Sequence, residues 1–400
     1  MDNRTDNWKE FTLGNPQEEP PKRVQRQETD RKKRRRLILL TAAVLAVVLT
    51  AALWDQTGFD GLRRSILYAA AEKDESGCAE LYRYTANQTS RFAALGGSLL
   101  SVSDNQMVMV NEKGRTLLNE RVRFTAPTLV TNGARAVVYD TGGTELYVLD
   151  GRGVLWTLTG EEKILSAAIN EKNYVTVVSG KSGYKASVCV YRDTGEAVFA
   201  FNSADRFVMT AALSRDNRTL AVVTMGQEDG QFVSDLELYR TNSEKLVKKV
   251  PIDGGVYDVG WSDGCFCAVA EDGLYFIETD GTKVGSYLFN DVYLRRCCLK
   301  GNGYVSLLVS RYRSGSQCML LCVDRQGDEL GCCEVSGEVL SLDSAGRYTA
   351  ALCTDELMIY DKEMRCVARL SDISEAHQVL MRADGSALLT GTTTAHLYLP

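Results

Sequence analysis

The strongest constraint on the fold is a pair of turn motifs that recurs from about residue 91 to the end of the chain. In the first motif an Asn or Asp closes a short apolar strand, at Asn111, Asp150, Asp193, Asn242, Asp280, Asp324 and Asp361. In the second a Gly or Asn turn precedes an apolar strand, at Gly97, Gly133, Asn173, Asn217, Gly264, Gly303, Gly346 and Gly385. The two series stay in phase, so the chain is built from a repeated unit of about 40 residues.

Two turns in fixed phase, one for each hairpin, predict a four-stranded antiparallel meander in every unit. That period and strand number are typical of propeller blades. A single meander cannot cover both of its faces, so the units must stack and close into a ring. We therefore predict an all-β fold over residues 78–400: a β-propeller of about eight four-stranded blades, with seven as the alternative if one unit is irregular.

The ends of the repeat region predict how the ring closes. The last unit stops at Pro400, which is 39 residues after Asp361 and is where a third strand should end. Residues 78–87 form a strand-like segment ahead of the first complete unit. We predict that this segment supplies the missing fourth strand, which would join the two chain ends and remove an exposed sheet edge.

The N-terminal region has the pattern of a membrane anchor. Residues 31–36 are six consecutive cations, and residues 37–54 form an uncharged apolar run long enough to span a bilayer. A cleaved signal peptide is the alternative, but the region before the apolar run is too long for one. The positive-inside rule then predicts a signal-anchored, single-pass protein of the cell membrane with a cytoplasmic N-terminus and an extracytoplasmic propeller.

This pattern divides the chain into four parts. Residues 1–36 are predicted to be a disordered basic cytoplasmic tail, because they are polar and rich in charge. Residues 37–54 are the predicted transmembrane helix, residues 55–77 a juxtamembrane helix and linker with Asp60 as helix cap, and residues 78–400 the propeller. In the tail, Trp8, Phe11 and Leu13 are a candidate docking motif for a cytoplasmic partner, or an accident of composition.

Twelve cysteines in a domain outside the cytoplasm would ordinarily suggest disulfides. Their placement favours small buried hydrophobic residues instead, because Cys297 and Cys298 are neighbours that point to opposite faces of a strand. One or more disulfides remain the alternative. The sequence has no CxxC pair and only two histidines, so we expect no metal site.

Several segments resemble known propeller families. Residues 212–223 and 382–388 resemble the hairpin of WD-repeat and related bacterial propellers, and residues 146–156 are similar to quinoprotein-like repeats. The recurring Trp-Asp and Gly-His dipeptides of WD repeats are missing. With the basic run and the apolar segment, the whole chain resembles the single-pass, membrane-anchored propeller proteins of clostridia and their relatives. That resemblance implies an architecture and no particular activity.

No catalytic constellation is evident in the sequence. The only histidines, His377 and His396, both lie in the last unit, and neither a phosphate-binding nor a dinucleotide-binding glycine motif occurs. We therefore expect no catalytic residue and no cofactor, and the acidic composition beyond residue 36 predicts no nucleic-acid partner. The alternative is a quinoprotein-like or hydrolase-like enzyme with its site in the central channel.

Three insertions predict where binding occurs. Residues 180–186, 227–235 and 311–318 all fall between the second and third strands of their units, so they should share one face of the ring. Tyr184, Phe232 and Tyr312 would stand there as anchors. Acidic turns are an alternative contact surface for a basic partner. We predict a non-enzymatic binding or scaffold module for a protein, peptide or envelope polymer outside the cell.

Overall fold

The computed structural model of the protein describes residues 38, 39, 41, 42, 44, 45 and 60–400, apart from residues 70, 71, 88, 229 and 374. The chain divides into two compact units, Met1–Phe59 and Asp60–Pro400. In the first unit the six described residues are helical. No helix within the described ranges has the length and apolar character needed to cross a membrane. The predicted docking residues Trp8, Phe11 and Leu13 and most of residues 37–54 lie outside the described residues.

The second unit begins with a short helix, α1 (Asp60–Leu67), and continues into 32 strands that form eight four-stranded antiparallel sheets. The strands of the first four sheets, blades 1 to 4, are β2 (Arg91–Leu95), β3 (Ser98–Val102), β4 (Gln106–Asn111), β5 (Thr116–Arg121); β6 (Pro127–Thr131), β7 (Arg135–Asp140), β8 (Glu145–Asp150), β9 (Gly153–Thr159); β10 (Ile164–Ile169), β11 (Val175–Ser179), β12 (Ala186–Tyr191), β13 (Ala197–Ser203); and β14 (Phe207–Leu213), β15 (Thr219–Glu228), β16 (Gln231–Arg240), β17 (Leu246–Ile252).

Blades 5 to 7 follow in the same order, and blade 8 combines both ends of the chain. Their strands are β18 (Val256–Ser262), β19 (Cys265–Ala270), β20 (Gly273–Ile277), β21 (Lys283–Leu288); β22 (Tyr293–Cys298), β23 (Val305–Ser310), β24 (Cys318–Val323), β25 (Glu329–Val335); β26 (Val339–Ala345), β27 (Tyr348–Cys353), β28 (Glu356–Asp361), β29 (Cys366–Ser371); and β30 (Gln378–Met381), β31 (Ala387–Thr390), β32 (Thr394–Tyr398) with β1 (Cys78–Arg83).

The core of the ring lies between the blades. Second strands such as β19 and β27 are buried along their whole length, whereas fourth strands such as β5 are mostly exposed. The buried apolar side chains fall into eight clusters, and each cluster joins two neighbouring blades. One of them packs blade 8 against blade 1. The apolar faces of the meanders are therefore covered all the way round, and the propeller is closed.

Ring closure follows the sequence prediction. Strand β1 pairs antiparallel with β32, from Cys78 opposite Tyr398 to Arg83 opposite Thr394. Tyr82 of β1 is 1% exposed and packs in the cluster between blades 8 and 1. The prediction of eight blades is confirmed, and the seven-bladed alternative is wrong.

The antiparallel meander gives the ring two distinct faces. Naming the strands of each blade A to D from the centre outwards, the A–B and C–D turns lie on one face, which we call the AB face. The B–C loops and the connections between blades lie on the other, the BC face. This follows because adjacent strands of an antiparallel sheet run in opposite directions.

Helix α1 is held against the AB face of blades 7 and 8. Asp60, which we predicted as a helix cap, begins the helix, and its carboxylate accepts hydrogen bonds from the Tyr348 hydroxyl and Arg347, both at 2.7 Å. Tyr68, just after the helix, donates its hydroxyl to the Asp384 carboxylate at 3.1 Å. These contacts fix the start of the folded unit on the AB face.

All twelve cysteines have free thiols in the structure. Six are buried within strands or between blades: Cys78, Cys265, Cys267, Cys298, Cys322 and Cys353. Cys332 and Cys366 are exposed on outer strands. The buried thiols pack beside Val, Leu and Phe side chains as small apolar groups.

Candidate functional site

The three aromatic residues singled out from the insertions lie on the BC face. Tyr184 and Tyr312 lie in the B–C loops of blades 3 and 6, and Phe232 lies near the start of β16, beside the B–C turn of blade 4. The exposed fractions of Tyr184, Phe232 and Tyr312 are 46%, 74% and 50%. Blades 3 and 4 are neighbours, while blade 6 is separated from them by blade 5. The predicted residues therefore share a face but span four blades rather than forming one compact cluster.

Irregularities in the inner strands expose further apolar residues on this face. In blades 3 to 7 the pairing of strands A and B skips one residue near the start of strand A. The skipped residues are Leu165, Met209, Tyr257, Arg295 and Leu340. A β-bulge turns the extra residue away from the regular alternation of the strand. Leu165, Met209 and Tyr257 are accordingly exposed, although they belong to inner strands.

The exposed aromatic side chains concentrate in one sector of the BC face. Within the described part of the chain there are six, all on blades 3 to 6: Tyr184, Phe207, Phe232, Tyr257, Tyr293 and Tyr312. Leu165, Met209 and Leu288 add exposed aliphatic side chains to the same sector. We call these nine residues the BC aromatic surface. Exposed apolar side chains that are grouped in one area mark interaction sites, whereas single exposed apolar residues are common all over protein surfaces.

The Phe232 loop is a projecting hairpin. Strands β15 and β16 have ten residues each, and they continue to pair beyond the ends of β14 and β17, from Gly226 opposite Val233 to Glu228 opposite Gln231. We call residues 226–233 the arm. Two-stranded ribbons are only marginally stable alone, so the arm depends on contacts at its base.

Arg206 supplies those contacts at the base of the arm. Its guanidinium lies 2.6 Å from the buried Asp235 carboxylate and 3.2 Å from that of Glu228. It also donates a hydrogen bond of 2.9 Å to the Val233 carbonyl. Lys249 lies 2.9 Å from the same Asp235 carboxylate. This network holds the arm on the body of blade 4 and so fixes the position of Phe232.

The loops of blades 3 and 6 are fixed in similar ways. In blade 6, Arg295 donates hydrogen bonds to the Ser310 hydroxyl at 2.7 Å and to the Tyr312 carbonyl at 2.9 Å. In blade 3, the Glu162 carboxylate accepts a hydrogen bond of 3.1 Å from the backbone of Ser182. Each loop that carries a predicted anchor is therefore bonded to its own blade. Anchors held in this way lose less conformational freedom on binding.

The charges of the BC face are of both signs. The acidic turns at residues 161–162, 228 and 271–272 lie on this face, but Asp263 lies on the AB face. Arg311 and Arg313 are exposed in the B–C loop of blade 6, and Arg313 lines a groove together with the acidic turn of blade 5. Because the predicted acidic turns divide between the two faces, they do not form a single acidic surface.

A central cavity of about 610 Å³ is lined by residues of all eight blades. Lys300 and Asp343 form an ion pair of 3.0 Å across neighbouring blades in it. Asn132 and Asn170 each donate a side-chain hydrogen bond to the A–B turn of the next blade. These side chains are engaged in joining blades. Neither histidine lines the cavity, and among the described residues no group of three His, Cys, Asp or Glu side chains is placed to hold a metal ion.

Sequence reasoning missed three of the six aromatic residues. Phe207, Tyr257 and Tyr293 occur in strands whose alternation looks ordinary, and nothing in the residue types marks the bulges that follow Val208 or precede Asp258. The one available signal is the presence of a large apolar residue at the first or second position of several inner strands.

Proteins similar to this chain are found at the level of the family and at the level of the fold. A family model described as "Family of unknown function (DUF5711)" matches residues 76–379. Among curated proteins no match is found.

Many solved propeller structures are similar in fold. BamB from Moraxella catarrhalis is 13% identical with a TM-score of 0.51, covering 80% of this chain and 100% of its own. Sqt1 from Saccharomyces cerevisiae is 9% identical with a TM-score of 0.58, covering 80% and 99%. The dihydro-heme d1 dehydrogenase NirN is 13% identical with a TM-score of 0.51, covering 76% and 72%. At such identities the similarity shows the fold alone.

Proposed function

The chain belongs to the DUF5711 family, and we propose that its propeller is a non-enzymatic scaffold that binds a protein partner through the BC aromatic surface. The observation that carries this proposal is the concentration of all six exposed aromatic side chains of the described residues on the BC face of blades 3 to 6. Aromatic side chains on a rigid scaffold are typical hot spots of protein interfaces.

The composition of the surface favours a protein over a uniformly charged ligand. Apolar anchors are surrounded by side chains of both signs, among them Glu228, Glu271, Lys249 and Arg313. Protein interfaces commonly have an apolar centre and a polar rim, and a standard interface buries about 800 Å² on each partner. A surface that spans four blades is wide enough for such an interface. An anionic nucleic acid would be repelled by the acidic turns.

Binding without catalysis is supported by the position of the surface. The exposed aromatic side chains lie on loops and strand ends of the BC face. In the central cavity, where we placed the alternative enzyme site, Asn132, Asn170, Lys300 and Asp343 are already engaged between blades.

We further propose that the protein is anchored in the cell membrane with the propeller outside the cytoplasm. The support for this is the run of six cations at residues 31–36 followed by the apolar residues 37–54. In the folded unit, α1 begins on the AB face. The folded unit therefore starts on the face opposite the proposed binding surface.

The experiment is partner capture by mild crosslinking in the native membrane. Replacement of Tyr184, Phe232 and Tyr312 by alanine should leave the thermal midpoint nearly unchanged, because loop tips contribute little to the core. Partner yield should fall at least tenfold, since such anchors are typically worth about 2 kcal/mol each. The matched control replaces Glu112, Lys172 and Glu244, which are exposed on the AB face. Loss of the partner in the control but not in the aromatic variant would overturn the proposal.

A further inference from the structure

A groove of about 710 Å³ lies between blades 5 and 6 on the BC face. Three exposed side chains with apolar surface line it: Tyr257, Leu288 and Tyr293. Tyr257 is the bulged residue of β18 and is 62% exposed. The groove is thus an open depression along which two exposed tyrosine side chains lie.

The two walls of the groove carry opposite charges. On the blade 5 side, Glu271 and Asp272 form the B–C turn, and Glu271 is exposed. On the blade 6 side are Arg295 and Arg313, and the Arg313 guanidinium lies over the ring of Tyr293, 5.4 Å from its centre. Within the described residues no ion pair joins the two walls or involves Arg313. Acidic and basic side chains therefore lie on opposite sides of the exposed tyrosine and leucine side chains.

On each wall, one charged side chain is held by hydrogen bonds within the protein and the other is not. Arg295 is committed to holding the blade 6 loop through Ser310 and Tyr312. Asp272 accepts a hydrogen bond from the Tyr275 hydroxyl. Glu271 and Arg313 have exposed side chains with no such hydrogen bond, so they are the charges left for a ligand.

We propose that this groove binds an extended peptide segment whose large apolar side chain lies on Tyr257 and Tyr293, with a basic residue on one side of it toward Glu271 and an acidic residue on the other toward Arg313. The inference rests on the proposed function and names the feature of the partner that one part of the BC aromatic surface recognises. Opposite charges on the ligand would neutralise both walls, and aromatic contact supplies the apolar anchor.

A peptide satisfies these requirements better than an envelope polysaccharide. A neutral glycan can stack on tyrosine rings, but it brings no charge to pair with Glu271 or Arg313. An anionic glycan would pair with Arg313 and be repelled by Glu271. A peptide provides charges of both signs a few ångströms on either side of one side chain, because successive residues of an extended chain are about 3.3 Å apart.

The test uses three synthetic nonapeptides with the same Trp-Leu centre. The mixed peptide is Lys-Lys-Gly-Trp-Leu-Gly-Glu-Glu-Gly, and in the two like-charged peptides all four charged positions are Lys or all four are Glu. Each carries a fluorescent label, and binding to the full-length protein is measured by anisotropy. We expect the mixed peptide to bind at least fivefold tighter than either like-charged peptide, because each like-charged peptide is repelled by one of the two walls. The Tyr257→Ala variant should weaken the preferred peptide at least tenfold.

Charge reversal of one wall at a time provides the decisive arm of the experiment. Glu271→Arg should shift the preference to the peptide with four Glu residues, and Arg313→Glu should shift it to the peptide with four Lys residues. The control variants Glu244→Lys and Lys172→Glu, on the AB face, should leave the preference unchanged. Equal binding of the three peptides by the natural protein, or a preference for the mixed peptide that survives both reversals at the groove, would overturn the inference. So would binding of labelled neutral maltohexaose with no binding of any of the three peptides.

The result of this test can be distinguished from the result for the proposed function. If the triple variant of Tyr184, Phe232 and Tyr312 loses the partner while the mixed peptide is not preferred, the groove inference fails and the BC surface remains. If the triple variant keeps its partner while the peptide preference follows the charge reversals, the groove inference stands and the wider binding surface has been assigned wrongly.

Discussion

The guanidinium of Arg295 donates a hydrogen bond of 2.9 Å to the backbone carbonyl of Tyr312. Arg295 is the bulged residue of the innermost strand of blade 6, and Tyr312 is an exposed aromatic residue in the B–C loop of the same blade. In blade 4, Arg206 bonds to the Val233 carbonyl beside Phe232 over the same distance. In both blades an arginine close to the start of the innermost strand thus fixes a loop that presents an aromatic side chain.

Replacing Arg295 by methionine should loosen the Tyr312 loop without disturbing the core. We expect partner capture to fall severalfold and the thermal midpoint to change little, because the lost hydrogen bonds are at the surface. Arg311→Met is the matched control, since Arg311 is an exposed arginine of the same loop. Equal capture by the two variants would show that the Arg295 contacts do not position the loop.

Ring closure depends on the packing of β1 at the last blade. Tyr82→Ala should lower the free energy of unfolding by about 3 kcal/mol or more, because Tyr82 is a large side chain buried between blades 8 and 1. Arg83→Ala, at an exposed position of the same strand, should have a small effect. Deletion of residues 78–86 should promote aggregation by exposing β32. A deletion variant that melts like the parent would mean that β1 does not stabilise the ring.

The arm of blade 4 should respond to loss of its buried carboxylate. Asp235→Asn removes the buried charge that lies between Arg206 and Lys249, and we expect a loss of about 2 kcal/mol, since two charge-assisted contacts to a buried carboxylate are lost. Hydrogen exchange at residues 226–233 should accelerate. Glu228→Gln, a change at an exposed member of the same network, should have a much smaller effect. Similar exchange rates in both variants would contradict the assigned role of Asp235.

Stability should decrease at alkaline pH because of the buried thiols. Burial raises the pKa of Cys265 and that of Cys353 from 9.0 to about 11. Below pH 9 both thiols are protonated in the folded and unfolded chains, so their contribution is fully present. Between pH 9 and 11 the unfolded chain releases protons that the folded chain keeps, so the free energy of unfolding falls as pH rises. Each thiol should contribute about 1.4 kcal/mol per pH unit.

The contribution of one thiol can be isolated by comparing denaturant unfolding at pH 8, 9 and 10. Cys353→Ala should reduce the slope of stability against pH, whereas Leu352→Ala, at a buried position of the same strand, should lower stability and leave that slope unchanged because leucine does not titrate. A slope unaffected by Cys353→Ala would contradict a raised pKa for that thiol.

The sequence contained enough information for the blades and their closure. Turn residues such as Asn217 and Gly385 have positive φ in the structure, and their regular spacing marks the hairpins directly. The pairing of β1 with the last blade could likewise be predicted by counting strands. Exposure of Tyr184, Phe232 and Tyr312 was also predictable, because insertions in a repeat must leave the body of the sheet.

Other parts of the candidate site could not be read from the sequence. The bulge that exposes Tyr257 is a property of strand pairing, and its sequence neighbours are ordinary strand residues. The contact between Asp60 and Tyr348 joins positions 288 residues apart, so local patterns contain no trace of it. The groove combines two blades, and its opposite charges come together only in the folded ring.

The most direct test of the binding surface is site-specific photocrosslinking in intact cells that produce the protein. A photoreactive aromatic amino acid replaces Phe232 or Tyr257 on the BC face, or Lys172 on the AB face as the reference position. We expect the same partner band from positions 232 and 257 and none from position 172. A partner band from position 172 alone would contradict the assignment of the binding surface to the BC face of blades 3 to 6.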